Sequence, residues 1–242
     1  MSIAVGSRTL AREGRFLRAF NGAAIVVGLL AGALFLTFPE IDLLFGRLFY
    51  KPGVGFTGHA YPAVPALRLL FIVFFYSCIA LAIAGLVRTR TRRGAWLGLA
   101  WGQWLFLAVC LGVGPGLVGN VLLKDQWGRA RPKNVVEFGG AKTFTPPLIP
   151  AWQCERGCSF VSGEAASVFV PFYAAALILP RWSLLLATVG TIGGLLAGLV
   201  RISQGAHFLS DIVFAGVFMA LTVLIVRWLM LRQLKGAAVP PS

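Results

Sequence analysis

The sequence predicts an all-α, polytopic membrane protein with six transmembrane helices. Of its 242 residues 58% are hydrophobic and only eight are acidic. A soluble domain of this length could not hide so much apolar surface. The apolar residues also fall into runs at about 19–38, 66–87, 95–123, 163–180, 183–200 and 208–231. All but the third are near the ~20 residues a helix needs to cross a bilayer while satisfying its own backbone.

The first run follows Arg8, Arg12, Arg15 and Arg18. A basic start and an apolar core are signal-peptide features, but Phe35-Leu-Thr-Phe-Pro39 offers no small-x-small cleavage site. The run therefore reads as a retained anchor. Arg88, Arg90, Arg92 and Arg93 separate the second and third runs. The third is too long for one simple span, and Gly112, Gly114, Pro115 and Gly116 mark where it kinks or ends. Arg181 lies between the fourth and fifth runs, and Arg227, Arg232 and Lys235 follow or close the sixth. With six spans these basic segments share one side, the cytoplasmic one by the positive-inside rule, and both termini belong there. The Ala-Ala-Val-Pro-Pro-Ser end reads as a loose tail. No internal repeat or long linker interrupts the chain, so residues 1–242 read as a single membrane domain.

A net charge of +14 is high enough to suggest nucleic-acid binding. Placement argues against it, because much of the excess sits where topology requires it. Membrane lipids are the expected partners, with no nucleic acid and no obligate protein partner evident. The informative cations are on the other side: Lys124, Arg129, Arg131, Lys133, Lys142, Arg156 and Arg201. Topology does not need them there.

Four of them belong to two of three polar clusters at the ends of apolar runs. The first runs from Lys124 to Arg131-Pro132, the second is Ser159-Phe-Val-Ser162-Gly163-Glu164, and the third spans Arg201 to His207 and Asp211. Lys124, Arg131 and Arg201 can neutralise the non-bridging oxygens of a phosphate, Arg through a planar fork and Lys as a point charge. Any one alone would be explained as a cation snorkelling to the lipid headgroups. Pro132 biases Arg131 towards an extended backbone that aims its guanidinium. Arg129 and Lys133 flank the motif, either meeting a second anionic group of the substrate or simply solvating the loop. Ser162 and Gly163 open a helix whose free N–H groups attract anions, and Ser162 is also a good cap. His207 and Asp211 are four apart, as expected for neighbours on one helix face. A carboxylate that fixes the imidazole tautomer leaves the other ring nitrogen free to attack phosphorus.

No cluster of His, Asp and Glu suggests a metal, so neither metal nor cofactor is expected. Cys78 and Cys110 lie in apolar runs and read as small core residues. Cys154 and Cys158 lack further ligands for zinc; in an oxidising compartment they would instead bracket Glu155-Arg156-Gly157 with a disulfide.

This pattern resembles the phosphatidic acid phosphatase type 2 superfamily of membrane phosphatases, whose site is shared with vanadium haloperoxidases. The resemblance covers Lys124 to Asp211 and agrees with six spans. It implies that His207 forms a phosphohistidine, that Asp211 orients it, and that Lys124, Arg131, Ser162, Gly163 and Arg201 hold the phosphoryl group. The family's second motif usually reads Pro-Ser-Gly-His, its histidine protonating the leaving oxygen. Here Val161-Ser162-Gly163-Glu164 stands instead. Either Glu164 is the general acid or the acid lies elsewhere, His59 being the reserve. A glutamate serves if burial raises its pKa, while nearby cations oppose that; otherwise it simply pairs with an arginine. The Ser-Phe-Val-Ser-Gly-Glu-Ala string also resembles a variant among bacterial lipid A phosphatases. The resemblance thus implies an inner-membrane phosphatase with a periplasm-facing site, acting on lipid A at its 1- or 4′-phosphate. Undecaprenyl diphosphate, phosphatidylglycerophosphate and phosphatidic acid are alternative substrates. Lipid-to-lipid phosphotransfer and non-catalytic phospholipid binding are alternative functions.

Overall fold

The computed structural model describes residues 2–236, with side chains described except at 2–12, 125 and 234–236. The expected loose tail at 237–242, and the side chains of Arg8, Arg12 and Lys235, lie outside the described residues.

The chain is a helical bundle. Helix α1 (Ser2–Thr37) ends just before Pro39, and Pro39 opens the short α2 (Glu40–Arg47), whose first turn holds Glu40 and Asp42. Carboxylates are favoured there by the positive end of the helix dipole. A small hairpin pairs β1 (Tyr50–Lys51) with β2 (Gly55–Phe56). Helix α3 (Ala63–Thr91) follows. The third apolar run begins later than its composition suggests, because Trp96 and Leu99 pair across a turn before α4 (Trp101–Leu111). At Gly112 the chain neither stops nor breaks. It widens into i→i+5 turns over Gly112–Lys124, with Pro115 inside, and ends in the single turn α5 (Asp125–Trp127). A proline has no N–H for the regular ladder, and wider winding is one way to carry a helix past it.

Helices α6 (Gly163–Ile178), α7 (Ser183–Ser203) and α8 (Leu209–Gly236) complete the bundle. Among the described residues, five stretches are long and apolar enough to cross a membrane: Glu13–Thr37, Ala63–Thr91, Trp101–Lys124, Ser183–Ser203 and Leu209–Gln233. The fourth expected span, 163–180, corresponds to α6, which is apolar but shorter. Helix α6 is buried along nearly its whole length, with its neighbours packed around it. The most extensive of these contacts is to α7, where Gly190 and Gly194 face α6 and Gly198 faces α8 along one smooth stripe. A Cβ at those positions would lie 2.5, 2.4 and 2.3 Å from Phe172, Phe169 and Ile212. Small residues at such spacing let backbones approach closely, which is how helices associate in lipid without a hydrophobic driving force. The stripe sets the depth of Arg201, one turn beyond Gly198.

Loop segments cover one end of the bundle. Tyr50 and Phe56 of the hairpin both pack on Phe138, at 5.2 and 5.1 Å between ring centres. Ala130, Val135, Phe138 and Phe208 form a second small core there. At the opposite end, Arg227 of α8 pairs with Glu13 of α1 and donates to the Leu177 carbonyl at 3.0 Å.

Candidate active site

The covered end is held together by one arginine. Arg129, which leaves α5 after Gly128, is fully buried. Its Nη2 meets Asp42 Oδ2 at 2.8 Å and its Nη1 meets Asp211 Oδ1 at 2.6 Å. Nε donates to the Thr145 carbonyl at 2.8 Å, and Nη1 also to Ser210 Oγ at 2.9 Å. The guanidinium lies 4.3 Å from the Phe208 ring centre, a cation–π distance. Arg129 therefore neither solvates a loop nor reaches for substrate. It ties α2, the loop after α5 and the start of α8 into one unit. Asp42 completes the box, its Oδ1 accepting from the Ser210 N–H at 2.8 Å. Burial pushes the Asp42 carboxyl above its ordinary range, Asp211 adds to that, and Arg129 opposes it.

This network has a measurable cost. Asp42→Ala leaves a buried guanidinium half-paired, a change worth about 3–5 kcal/mol, and should lower the unfolding temperature in detergent. Asp42→Asn keeps the shape but removes the charge behind Arg129. It is expected to lower kcat about tenfold with KM unchanged, whereas a purely structural role would leave kcat per folded molecule intact.

His207 is not on the face of a helix. It sits in the turn between α7 and α8, after Gly205, whose φ of 62° reverses the chain. Its Nδ1 lies 2.7 Å from the Ser159 carbonyl and 3.7 Å from Asp211 Oδ2. A carbonyl only accepts, so Nδ1 carries the proton and Nε2 is left with a lone pair. The expected orienting role of Asp211 is thus shared and largely indirect. Its Oδ2 accepts from the Phe208 N–H at 2.8 Å and from the Ser159 hydroxyl, fixing both segments that hold the ring. Burial is the main influence on the His207 pKa and lowers it. Asp211 opposes that shift, and Lys124 and Arg201 reinforce it.

Nε2 faces Glu164 Oε2 at 4.0 Å. Arg68 reaches Glu164 Oε1 through Nε at 3.0 Å and Nη2 at 2.9 Å. On Oε2, Arg201 Nε approaches to 2.9 Å, an ion contact rather than an aligned hydrogen bond. Arg201 Nη1 donates to Gln204 Oε1. Lys124 Nζ lies 3.3 Å from Asn120 Oδ1, and a Cβ on Gly163 would stand 3.2 Å from it. Glycine thus leaves room for the ammonium over the start of α6. Ser162 caps that helix, its Oγ accepting from Ala165 N at 3.3 Å. Arg131 has the extended backbone expected before proline, at φ −78° and ψ 153°. Its Nε donates to the Gly157 carbonyl at 2.7 Å. Lys124, Arg131, Arg201 and Glu164 act on one another electrostatically. Cys154 and Cys158 are joined in a disulfide around Gly157.

All eight expected site residues thus gather at one end of the bundle. Asp42 and Arg68 were not anticipated. Asp42 could have been flagged as one of only eight acids, poised at a span end. Arg68 is a lone cation inside an apolar run, and such a charge is costly in a membrane without a partner. His59 is exposed on the turn Thr57–Ala60. Among the described residues no three His, Cys, Asp or Glu side chains converge as a metal site.

A bundle of helices apolar enough to cross a membrane, with a buried histidine, carboxylates and several cations gathered at one end, defines the class as a polytopic membrane protein with a charged cluster at one end. Residues 103–235 match the PAP2 superfamily, and the chain belongs to that family. It is 36% identical to the lipid A 4′-phosphatase of Francisella tularensis subsp. novicida, over 86% of this chain and 95% of that one. It is 37% identical to the lipid A 4′-phosphatase of Rhizobium leguminosarum, over 75% and 83% of the two chains. Similarity to the lipid A 1-phosphatase of Rhizobium etli is 33% over 58% and 57%. No solved structure matches the chain.

Proposed function

We propose that this protein is a lipid A phosphatase that removes the 4′-phosphate through a phosphohistidine. The observation that carries the chemistry is Nε2 of His207, left with a lone pair because Nδ1 donates to the Ser159 carbonyl, and facing Glu164 Oε2 at 4.0 Å where Arg201 also approaches. Mere binding of a phospholipid has no use for an oriented, unprotonated nitrogen. The position of the phosphate rests on the relatives: those named 4′-phosphatases align over more of the chain than those named 1-phosphatases.

In this reading Lys124, Arg131 and Arg201, with Ser162, Gly163 and the N-terminus of α6, hold the phosphoryl oxygens. His207 Nε2 forms a bond to phosphorus as the bond to the sugar oxygen breaks. Asp211 steadies the charge that develops on the ring. The departing oxygen takes a proton from Glu164. Water then attacks the phosphohistidine, giving its proton back to Glu164 and releasing inorganic phosphate. Every step uses side chains alone, without metal or cofactor.

The chain is read as one domain of six spans, with the buried α6 as the shorter fourth. The site end would face the periplasm and the termini the cytoplasm of a bacterial inner membrane. Two features support this orientation. Arg88, Arg90, Arg92, Arg93 and Arg181 belong to connections remote from the site, and the Cys154–Cys158 disulfide suits an oxidising compartment at the site end.

The test is phosphate release by purified protein from bis-phosphorylated lipid A, the product located by mass spectrometry. Loss of the 4′-phosphate, resistant to EDTA and blocked by vanadate, is expected. Loss of the 1-phosphate would reassign the position, and faster turnover of undecaprenyl diphosphate or phosphatidylglycerophosphate would reassign the substrate.

A further inference from the structure

Beside the site runs a groove of about 630 Å³ that the proposed chemistry does not use. Its walls include Arg131, Lys133, Lys142 and Arg156, with Glu155 as the acidic member. Of these, Arg131 alone is also engaged with the phosphate cluster, where it acts on Lys124 and Arg201. One carboxylate, Glu155, does not balance three further cations beside an already cationic site, and the excess positive charge suits a second anion.

The groove is built rather than left over. The disulfide closes the loop that carries Glu155, Arg156 and Gly157, and Arg131 clamps that loop through the Gly157 carbonyl at 2.7 Å. On the facing wall Lys142 donates to the Gln153 carbonyl, and Gln153 Nε2 donates to Thr145 Oγ1 at 2.9 Å. Lys133 and Arg156 are left exposed, free to meet a ligand. At the rim, Trp152 is 95% exposed, a large apolar ring in the open. Tryptophan is enriched at the level of lipid headgroups, where one part of the ring is buried and another stays wet. A groove with this rim belongs at that level, so its anion belongs to a lipid headgroup rather than to a free ion.

We infer that the groove is a second anion subsite. It takes a phosphate or carboxylate carried by the same lipid headgroup at a distance from the scissile phosphate, so that Arg131 stands between two anionic ends of one substrate. This rests on the lipid A reading in that the substrate must bear two anions on a saccharide. It goes further by assigning the second anion to Lys133 and Arg156.

Binding rather than turnover tests it. The full-length His207→Ala protein is titrated with vesicles carrying bis-phosphorylated lipid A, or the same lipid with only its 4′-phosphate, at matched surface charge. Tighter binding of the bis-phosphorylated lipid is expected, by roughly three- to tenfold for two solvent-facing cations. Adding Lys133→Ser and Arg156→Ser should erase that preference while leaving binding of the mono-phosphorylated lipid unchanged. Equal binding of the two lipids overturns the subsite, as does a preference that survives the double substitution. Failure of the unsubstituted enzyme to release phosphate from lipid A would instead overturn the substrate assignment, so the two failures are separately visible.

Discussion

His207→Ala is expected to abolish phosphate release, with a loss of at least about 10⁴-fold in a protein that remains folded and still binds lipid. The imidazole makes one firm hydrogen bond through Nδ1, to the Ser159 carbonyl. The ring is also fully buried, so its removal leaves a cavity that lowers stability, but the Arg129 network that ties the loops together does not include it, while the group that accepts the phosphoryl disappears. A second measurement fixes the protonation state. The His207 pKa is lowered, chiefly by burial, so the neutral ring persists at pH values where a free histidine is already charging. The acid limb of kcat/KM should accordingly fall below the ordinary histidine value of about 6.5. A limb above 7, or His207→Ala protein turning over near the unsubstituted rate, would rule this nucleophile out.

Much of the site could be read from the chain because its residues cluster at span ends. The Lys124-to-Arg131 spacing, the Ser162-Gly163 pair and the Arg201-to-Asp211 segment each sit within a few residues of an apolar boundary. In the six-span reading the spans alternate, so their order alone leads one to expect these clusters at one end. What could not be read was the wiring between them. Asp42 meets Arg129 across 87 residues and Ser210 across 168. Spacing carries no information about such pairs when a loop cap of irregular backbone brings them together. The same blindness gave Arg129 a solvent or substrate role, although aromatic rings and two carboxylates enclose it. The helical reading of His207–Asp211 failed for a local reason. Gly205 turns the chain, and Asp211 is committed to the Phe208 N–H at the start of α8, which leaves the Ser159 carbonyl to hold the ring. Helix boundaries erred where side-chain hydrophobicity and backbone geometry disagree, as at residues 95–100, which are apolar enough for a span but form a turn.

Glu164→Gln is expected to slow hydrolysis of the lipid by about 10²–10⁴-fold, the usual worth of a general acid. The resting geometry makes this a demanding test, because Glu164 pairs with Arg68 on one oxygen and Arg201 on the other. A carboxylate so engaged is a poor proton donor. The entering phosphate changes the balance: it competes for Arg201, releases Oε2, and sets a doubly charged group beside it. Both changes favour a proton on the oxygen nearest the leaving group. Arg68, still bound to Oε1, then holds the acid in place. The substitution should matter far less for a nitrophenyl phosphate, whose leaving oxygen needs no proton, and Glu164→His should restore part of the lipid activity by supplying the acid commoner in the family. If Glu164→Gln is equally damaging with both substrates, the residue serves only to balance Arg68 and Arg201. The proton would then have to come from water or from His59.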